Sequence, residues 1–189
     1  MVIAADSPEV FGLLRNRLAV GGGVAIIPCD TIYGIVGTVP GSEDRIRRIK
    51  GRGEDKPFLQ LVAGVDWVTR LATAPVPSTL EKHWPGPLTV ILPALGGGTV
   101  ALRVPGSLFL RELLTAVDRP LYSTSVNRAG QAPLWQIADI VEGFEDVVDL
   151  VVDAGDLPGS VPSTIVDATC SPLRIVRQGA LALPPDDLL

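Results

Sequence analysis

The sequence IIPCDTIYGIVG, residues 26–37, passes from an apolar run directly into small polar side chains. The run VAIIPC, residues 24–29, predicts a buried strand because its apolar residues follow one another without a charge. Small polar groups at the end of a buried strand commonly line a ligand crevice, which favours a site near Asp30 and Thr31. The same pattern fits a turn from strand to helix in which Asp30 or Thr31 caps the helix. The stretch predicts a strand-based fold and leaves both interpretations of the polar residues open.

Outward from this stretch, predicted strands and helices alternate along the chain. Apolar residues at helical spacing predict helices that begin at Ser7 and run over residues 42–50, 107–117 and 134–144. The segments LTVILPAL and TVALRVP flank a glycine-rich turn and predict a β-hairpin. Because some strands follow each other without a helix between them, we expect an α/β (α+β) fold. Its sheet should be open, twisted and mixed, with helices packed on it.

Length and composition favour one ordinary globular domain. We expect a single domain over residues 1–189, with the tail LPPDD as a poorly ordered end. The net charge of -5 and the pI of about 4.8 argue against a globally basic nucleic-acid binder. No apolar run approaches the roughly 18 residues of a membrane span. The N-terminus lacks the basic and apolar regions of a signal peptide, so we expect a cytoplasmic protein with no membrane partner.

Cysteine and histidine usage limits the chemistry. Cys29 and Cys170 are the two cysteines and His83 is the one histidine, which offers neither metal-ligand spacing nor a disulfide framework. A catalytic dyad of Ser-His or Cys-His type is disfavoured because the chain has a single candidate base.

A cluster of cations follows the second predicted helix. The segment KGRGEDKPF, residues 50–58, places Lys50, Arg52 and Lys56 around two glycines that allow sharp turns. A charge run of this kind is ordinarily a solvated surface. The alternative is a pocket for a polyphosphate, because arginine supplies a planar fork of donors and lysine a compact charge.

Polar and charged residues also interrupt other apolar strands. The segment STSVNRAG, residues 123–130, offers short neutral donors that suit phosphate or ribose oxygens, or a hydrogen-bonded turn. Arg103 lies inside a predicted core strand, where a cation is costly unless it meets an acid or a bound carboxylate. Ser163 opens another strand, and Arg177 lies at the end of the last one.

Seven segments, in this order along the chain, resemble the YrdC-like family of threonylcarbamoyl-AMP synthases. They are PCDTIYGIVG, IKGRGEDKPF, HWPGPLTVIL, VALRVPG, STSVNRAG, VPSTIVD and RIVRQGA. Each motif is weak alone, and their common order over about residues 24–180 carries the resemblance. The resemblance implies a YrdC-like (DHBP-synthase-like) fold with a large, positively lined cavity, in its short single-domain form.

The resemblance also implies an activity. Members of the family are nucleotidyltransferases that join L-threonine, bicarbonate and ATP into threonylcarbamoyl-AMP and release pyrophosphate. Transfer proteins then carry the threonylcarbamoyl group to tRNA, so these proteins and tRNA are the implied partners. We expect Mg²⁺ to be held mainly by the ATP phosphates and water, with no protein metal site. Because no nucleophile has a base beside it, catalysis should rest on positioning and electrostatics.

Individual residues receive roles from the same resemblance. The implied catalytic residues, which would also hold the ATP phosphates, are Lys50, Arg52 and Lys56. The other implied ATP contacts are Thr99, Ser125, Asn127 and Arg177. The implied threonine contacts are Cys29, Thr31, Arg103, Ser123 and Ser163.

Two positions depart from the family pattern and keep alternatives open. Cys29 stands where the family usually has Thr, and a thiol is a weak donor. Val126 stands where the family usually has Ala, inside a tight turn. One alternative function is a paralogue of the same fold that binds RNA or a nucleotide. The other is a paralogue that acts on a different carbamoyl or adenylate substrate.

Overall fold

The computed structural model describes residues 1–51, 53, 57–158 and 161–188. The strands are β1 Val2–Ala4, β2 Val24–Pro28, β3 Tyr33–Thr38, β4 Leu59–Leu61, β5 Leu88–Pro93, β6 Thr99–Arg103, β7 Leu121–Ser125, β8 Leu150–Asp153, β9 Thr164–Asp167 and β10 Arg174–Arg177. The helices are α1 Val10–Ala19, α2 Glu43–Lys50, α3 Val68–Leu71, α4 Ser78–Glu81, α5 Leu108–Val117 and α6 Ile137–Phe144. Short 3₁₀ turns occupy Val65–Trp67 and Pro185–Leu188.

All ten strands belong to one sheet, in the order β1-β8-β2-β3-β7-β4-β6-β5-β9-β10. Parallel and antiparallel neighbours both occur: β8 is parallel to β1 and β2, whereas β3 is antiparallel to β2 and β7. The predicted hairpin is present, because β5 and β6 pair in antiparallel register. The expectation of an open, mixed α/β sheet is therefore confirmed.

Different helices pack on the two faces of the sheet. On one face, α1 and α5 bury a core that includes Ile27, Val36 and Leu121. On the other face, α2 and α6 cover one half of the sheet, while α3, α4 and the C-terminal segment cover the other half. Side chains alternate along each strand, so Leu59 shares the face of α1 and α5 with Leu61. The cavity described below opens on this same face of the sheet. Leu59 packs on the core and also lines the cavity.

Strand β3 was not predicted as a strand, and its glycines explain why. Gly34 and Gly37 interrupt a six-residue segment, and glycine usually weakens a strand. The fold requires Gly37, because a Cβ there would lie 2.5 Å from Ser42 Cβ and 2.9 Å from the Gly23 carbonyl oxygen. The segment therefore forms a central strand through pairing on both sides, which its local sequence does not reveal. Strand β1 was also not predicted.

Helix and chain ends differ from the sequence prediction. Helix α1 begins at Val10 rather than at Ser7, and α6 begins at Ile137 rather than at residue 134. The expectation of a poorly ordered C-terminal tail is wrong for the described residues, because Asp187 is only 4% exposed. Its carboxylate accepts from Lys82 Nζ at 2.6 Å and lies 2.8 Å from His83 Nε2. This ion-pair cluster and the apolar contact of Leu188 with the core hold the tail against the domain.

Candidate active site

A cavity of about 310 Å³ opens on the sheet face between β3 and β10. Seven of the residues with predicted site roles line it: Cys29, Thr31, Arg103, Ser123, Ser125, Ser163 and Arg177. They come from the loop after β2, from β6, β7 and β10, and from the residue just before β9. Among the described residues, Arg103 and Arg177 are the charged side chains in the lining. The cavity therefore combines two guanidinium groups with neutral hydroxyls and a thiol.

Arg103 is held in the cavity wall by hydrogen bonds on two of its nitrogens. Its Nε donates to the Gly86 carbonyl oxygen at 2.9 Å, and its Nη2 donates to Asp30 Oδ2 at 2.6 Å. Both side chains are largely buried, at 4% and 12% exposed. Nη1 has no hydrogen-bond partner among the described residues. Arg103 thus has both the acid partner that its burial requires and a nitrogen that remains able to bind an anion.

Arg177 also lines the cavity. Its Nε and Nη2 donate to the Ser163 carbonyl oxygen at 3.1 and 2.8 Å, and Nη2 also lies 3.3 Å from Ser163 Oγ. Burial and the nearby charge of Arg103 lower the pKa of the Arg177 guanidinium below its ordinary value. Guanidinium groups stay charged in proteins, so the two arginines repel one another across the cavity. An anion between them would relieve that repulsion.

The Cys29 thiol faces the cavity as a neutral group. Burial raises its pKa from the ordinary 9.0 to about 12, although the charge of Arg103 acts in the opposite direction. The backbone at Gly34 approaches closely, because a Cβ there would lie 2.9 Å from Cys29 Sγ and 3.2 Å from Ser123 Oγ. At neutral pH the thiol is protonated, so it offers the cavity a weak donor rather than a thiolate nucleophile.

Lys50 lies beside the cavity wall. Its Nζ donates to the Ser125 carbonyl oxygen at 2.6 Å, to the Asn127 carbonyl oxygen at 3.1 Å and to Asn127 Oδ1 at 2.9 Å. Ser125 Oγ donates to the same Asn127 Oδ1 at 2.6 Å. These bonds tie the end of α2 to the turn after β7. Lys50 and Asn127 are not among the lining residues, and their contact with ATP stays a prediction.

Three predicted site residues remain, namely Thr99, Arg52 and Lys56. Thr99 shares the cavity face of β6 with Ala101 and Arg103 by alternation, but it is exposed and does not line the cavity. Arg52 and Lys56 lie outside the described residues, so their predicted roles stay predictions. Pro57, which follows them, lines the cavity. Val126, the second departure from the family pattern, is fully buried in the core under α2 and α6.

Comparison with known proteins identifies the family. The Sua5/YciO/YrdC family model, described as "Telomere recombination", matches residues 18–179. The chain belongs to the Sua5/YciO/YrdC family. The resemblance to the YrdC-like family is thereby confirmed.

Relatives within the Sua5/YciO/YrdC family include proteins named threonylcarbamoyl-AMP synthase. One from Pyrococcus abyssi is 30% identical, over 97% of this chain and 59% of the relative. Another from Marinobacter nauticus is 31% identical, over 86% of this chain and 94% of the relative. The chain thus spans about three fifths of the P. abyssi relative and nearly all of the M. nauticus one.

Solved structures of the family share the fold. Sua5 of P. abyssi complexed with L-threonine superposes with a TM-score of 0.86 at 26% identity, over 96% of this chain and 58% of that chain. YciO of Escherichia coli superposes with a TM-score of 0.82 at 24% identity, over 100% of this chain and 98% of that chain. The second likeness, at its lower identity, supports the fold alone.

Sequence reasoning assigned no site role to two residues that shape the cavity. Asp30 was considered only as a helix cap or a member of a polar crevice, whereas its carboxylate pairs with Arg103. Thr89 lines the cavity from β5, fully buried, with its Oγ1 2.9 Å from Ser163 Oγ. A signal for Thr89 was present, because it is the one hydroxyl within the apolar run LTVIL. Asp30 gave no comparable signal, since its partner lies far along the chain.

The described cavity does not supply a metal centre. Its described lining contains no carboxylate, and no group of three His, Cys, Asp or Glu residues in the described part of the chain could hold a metal ion. Hard cations such as Mg²⁺ prefer carboxylate and carbonyl oxygens. The described residues therefore do not form a protein cage for this ion.

None of the helices in the described part of the chain has the length and apolar character that a membrane crossing needs.

Proposed function

We propose that this protein is an L-threonylcarbamoyladenylate synthase, a nucleotidyltransferase that uses L-threonine, bicarbonate and ATP. The observation that carries the proposal is the convergence of Arg103, Arg177 and several hydroxyl groups on one cavity. Relatives that carry this activity as their name support the same conclusion. The ligand named in the P. abyssi Sua5 structure, L-threonine, is one of the proposed substrates.

The cavity has groups suited to both substrates. Arg103 Nη1 is available for the threonine carboxylate, and Cys29, Thr31 and Ser123 lie in the same lining. We assign Ser163 to L-threonine as well, and its neighbour Arg177, whose guanidinium can donate to an anionic or ribose oxygen, to ATP. Apolar lining residues such as Ile91 and Ile165 offer a surface for a nucleobase.

Chemistry in this cavity would depend on positioning. The amine of threonine attacks carbon dioxide or a species derived from bicarbonate, and the resulting N-carboxylate attacks the α-phosphorus of ATP. Pyrophosphate leaves with its charge. The described lining has no carboxylate or imidazole that could act as a general base, and its one thiol is protonated. Catalysis would therefore rest on alignment of the substrates and on fixed positive charge that stabilises the transition state.

The leaving pyrophosphate needs further positive charge. We assign that role to Lys50, Arg52 and Lys56, as the family resemblance implies, and infer that Mg²⁺ arrives with the ATP phosphates. The position of Lys50 beside the cavity wall supports a second task, which is to hold the turn at Ser125 and Asn127. Separate proteins in the cytoplasm would then transfer the threonylcarbamoyl group of the product to tRNA, with release of AMP.

One observation favours a second candidate function. A thiol faces the cavity at Cys29, where the family pattern has a hydroxyl, so this chain has a weaker donor at that point. A paralogue that adenylates a different carbamoyl compound would fit this change. The variant Cys29→Thr separates the two functions, since it should raise activity with L-threonine only if the thiol limits a true synthase.

The decisive experiment is synthesis by the purified protein. Pyrophosphate release and threonylcarbamoyl-AMP, detected by mass spectrometry, should require L-threonine, bicarbonate and ATP together. Arg177→Ala should lower the rate by about 10²-fold, as loss of a preorganised charge commonly does. Arg174→Ala on the same strand is the control, because that side chain is 70% exposed and does not line the cavity. Salt-sensitive RNA binding without pyrophosphate release would instead support an RNA-binding paralogue.

A further inference from the structure

Thr89 contributes a buried hydroxyl to the cavity without a role in the proposed mechanism. It is the second residue of β5 and is 0% exposed, between Leu88 and Val90 of the opposite face. Its Oγ1 lies 2.9 Å from Ser163 Oγ, across 74 residues of sequence. A hydroxyl in an otherwise apolar strand costs free energy unless it is hydrogen-bonded, and Ser163 is its hydrogen-bond partner among the described residues.

Ser163 also accepts hydrogen bonds from Arg177. Arg177 Nη2 lies 3.3 Å from Ser163 Oγ and 2.8 Å from the Ser163 carbonyl oxygen. The guanidinium can only donate, so Ser163 Oγ is the acceptor in that contact. One of the two lone pairs on Ser163 Oγ is therefore already engaged.

Both hydroxyls are buried, with Thr89 0% and Ser163 2% exposed, and both line the cavity. Whichever hydroxyl donates to the other, one proton of the pair has no acceptor among the described residues, which is costly unless a ligand in the cavity accepts it. If Thr89 donates, its proton is satisfied and both lone pairs of Ser163 Oγ are occupied. The remaining proton of Ser163 then points to whatever acceptor enters the cavity.

We propose that Thr89 is a positioning residue that fixes the Ser163 hydroxyl as a donor to a substrate oxygen. The neighbouring charge of Arg177 makes an anionic oxygen the acceptor that fits best. This inference rests on the proposed function, in which that oxygen belongs to bound L-threonine. Although Thr89 lines the cavity, its hydroxyl acts through Ser163 in this proposal and not through a hydrogen bond of its own to the substrate.

The test compares variants that change one hydroxyl at a time. Thr89→Val keeps the shape of the side chain and removes the donor, whereas Thr89→Ser keeps the donor. By calorimetry, Thr89→Val should bind L-threonine roughly 3- to 10-fold more weakly, as expected for one hydrogen bond, and Thr89→Ser should bind like the wild type. In the synthase assay the KM for L-threonine should rise more than the KM for ATP. Thr38→Val is the control, because it removes another buried hydroxyl that does not line the cavity.

A double-variant cycle tests whether Thr89 acts through Ser163. In a Ser163→Ala background, Thr89→Val should cause no further loss of L-threonine affinity. Additive losses, or a Thr89→Val protein that binds as tightly as the wild type, would overturn the inference. Should Thr89→Val not fold, Thr89→Cys, whose thiol donates weakly, replaces it with the same expectation.

The inference and the proposed function can fail separately. A wild-type protein that binds L-threonine but forms no adenylate would contradict the synthase, while the affinities of the Thr89 variants would still decide the positioning role. A wild-type protein that does not bind L-threonine would overturn both.

Discussion

Arg103 and Asp30 form a buried ion pair, with 2.6 Å between Nη2 and Oδ2, although 73 residues separate them in sequence. Asp30 also accepts from the backbone N–H groups of Gly106 and Ser107, at 2.6 and 2.9 Å, just before α5. One carboxylate therefore joins the loop after β2, the end of β6 and the start of α5. The loop after β2 and the end of β6 line the cavity, so the pair sets the geometry of its wall.

Replacing Asp30 with Asn should destabilise the protein and weaken its site. The change leaves the buried Arg103 charge without its acid, which should lower the free energy of unfolding by about 3 kcal/mol. L-threonine affinity should also fall, because the guanidinium loses its orientation. Urea unfolding and calorimetry measure the two effects. Asp66→Asn is the control, since its pair with Arg70 is long at 4.0 Å and exposed, and its loss should cost under about 0.5 kcal/mol. Equal stability of the two variants would contradict a structural role for the Asp30 pair.

Replacing Lys50 with Met should loosen the turn after β7 before any ligand binds. Loss of the ammonium removes its hydrogen bonds to two backbone carbonyl oxygens and to Asn127 Oδ1, which keeps the bond from Ser125 Oγ, and should cost about 2 kcal/mol of unfolding free energy. Thermal unfolding of the ligand-free protein measures this. Arg48→Ala, an exposed change on the same helix, should leave the melting temperature nearly unchanged. If Lys50 served only as a phosphate ligand, its loss would lower ATP affinity and leave the ligand-free melting temperature unaltered.

The two cysteines should differ widely in reactivity. A rise in the pKa of Cys29 from 9.0 to about 12 lowers its thiolate fraction at neutral pH by about 10³-fold, and the thiolate is the reactive form. Cys170 is exposed. Timed alkylation with iodoacetamide at pH 8, followed by peptide mass spectrometry, should label Cys170 quickly and Cys29 only after unfolding. Rapid labelling of Cys29 in the folded protein would show that its thiol is activated.

Acid should release the C-terminal segment through Asp187. Hydrogen bonds from Lys82 and His83 hold the pKa of the Asp187 carboxyl below its ordinary value. A carboxyl with a lowered folded-state pKa stabilises the fold above its unfolded pKa of about 3.9, and this contribution disappears as the pH falls below that value. Asp187→Asn should therefore be less stable than the wild type at pH 7, with a smaller difference at pH 3. Urea midpoints over this range measure the effect, with the exposed Asp186→Asn as the control. A difference that stayed constant with pH would rule out a charge effect.

Local patterns predicted much of the fold because they report burial on one element at a time. Apolar spacing placed the helix at residues 107–117 within one residue of α5, and the apolar runs around a glycine turn predicted the β5–β6 hairpin. The same reasoning did not detect β3, because Gly34 and Gly37 lower the apparent strand propensity. Those glycines are required by close neighbours, Cys29 and Ser123 at one and Ser42 at the other. Neighbours of that kind are visible only after the strands have paired.

The sequence by itself determined the family, the mixed sheet and seven of the residues that line the cavity, since motif order and strand alternation can be read along the chain. Only the tertiary structure decided that Asp30 is the acid for Arg103, that Thr89 meets Ser163, and that the Lys50 ammonium holds the turn at Asn127. The physical reason is that each of these bonds joins groups more than 70 residues apart. Their geometry depends on which strands lie side by side, and no local period along the chain specifies that.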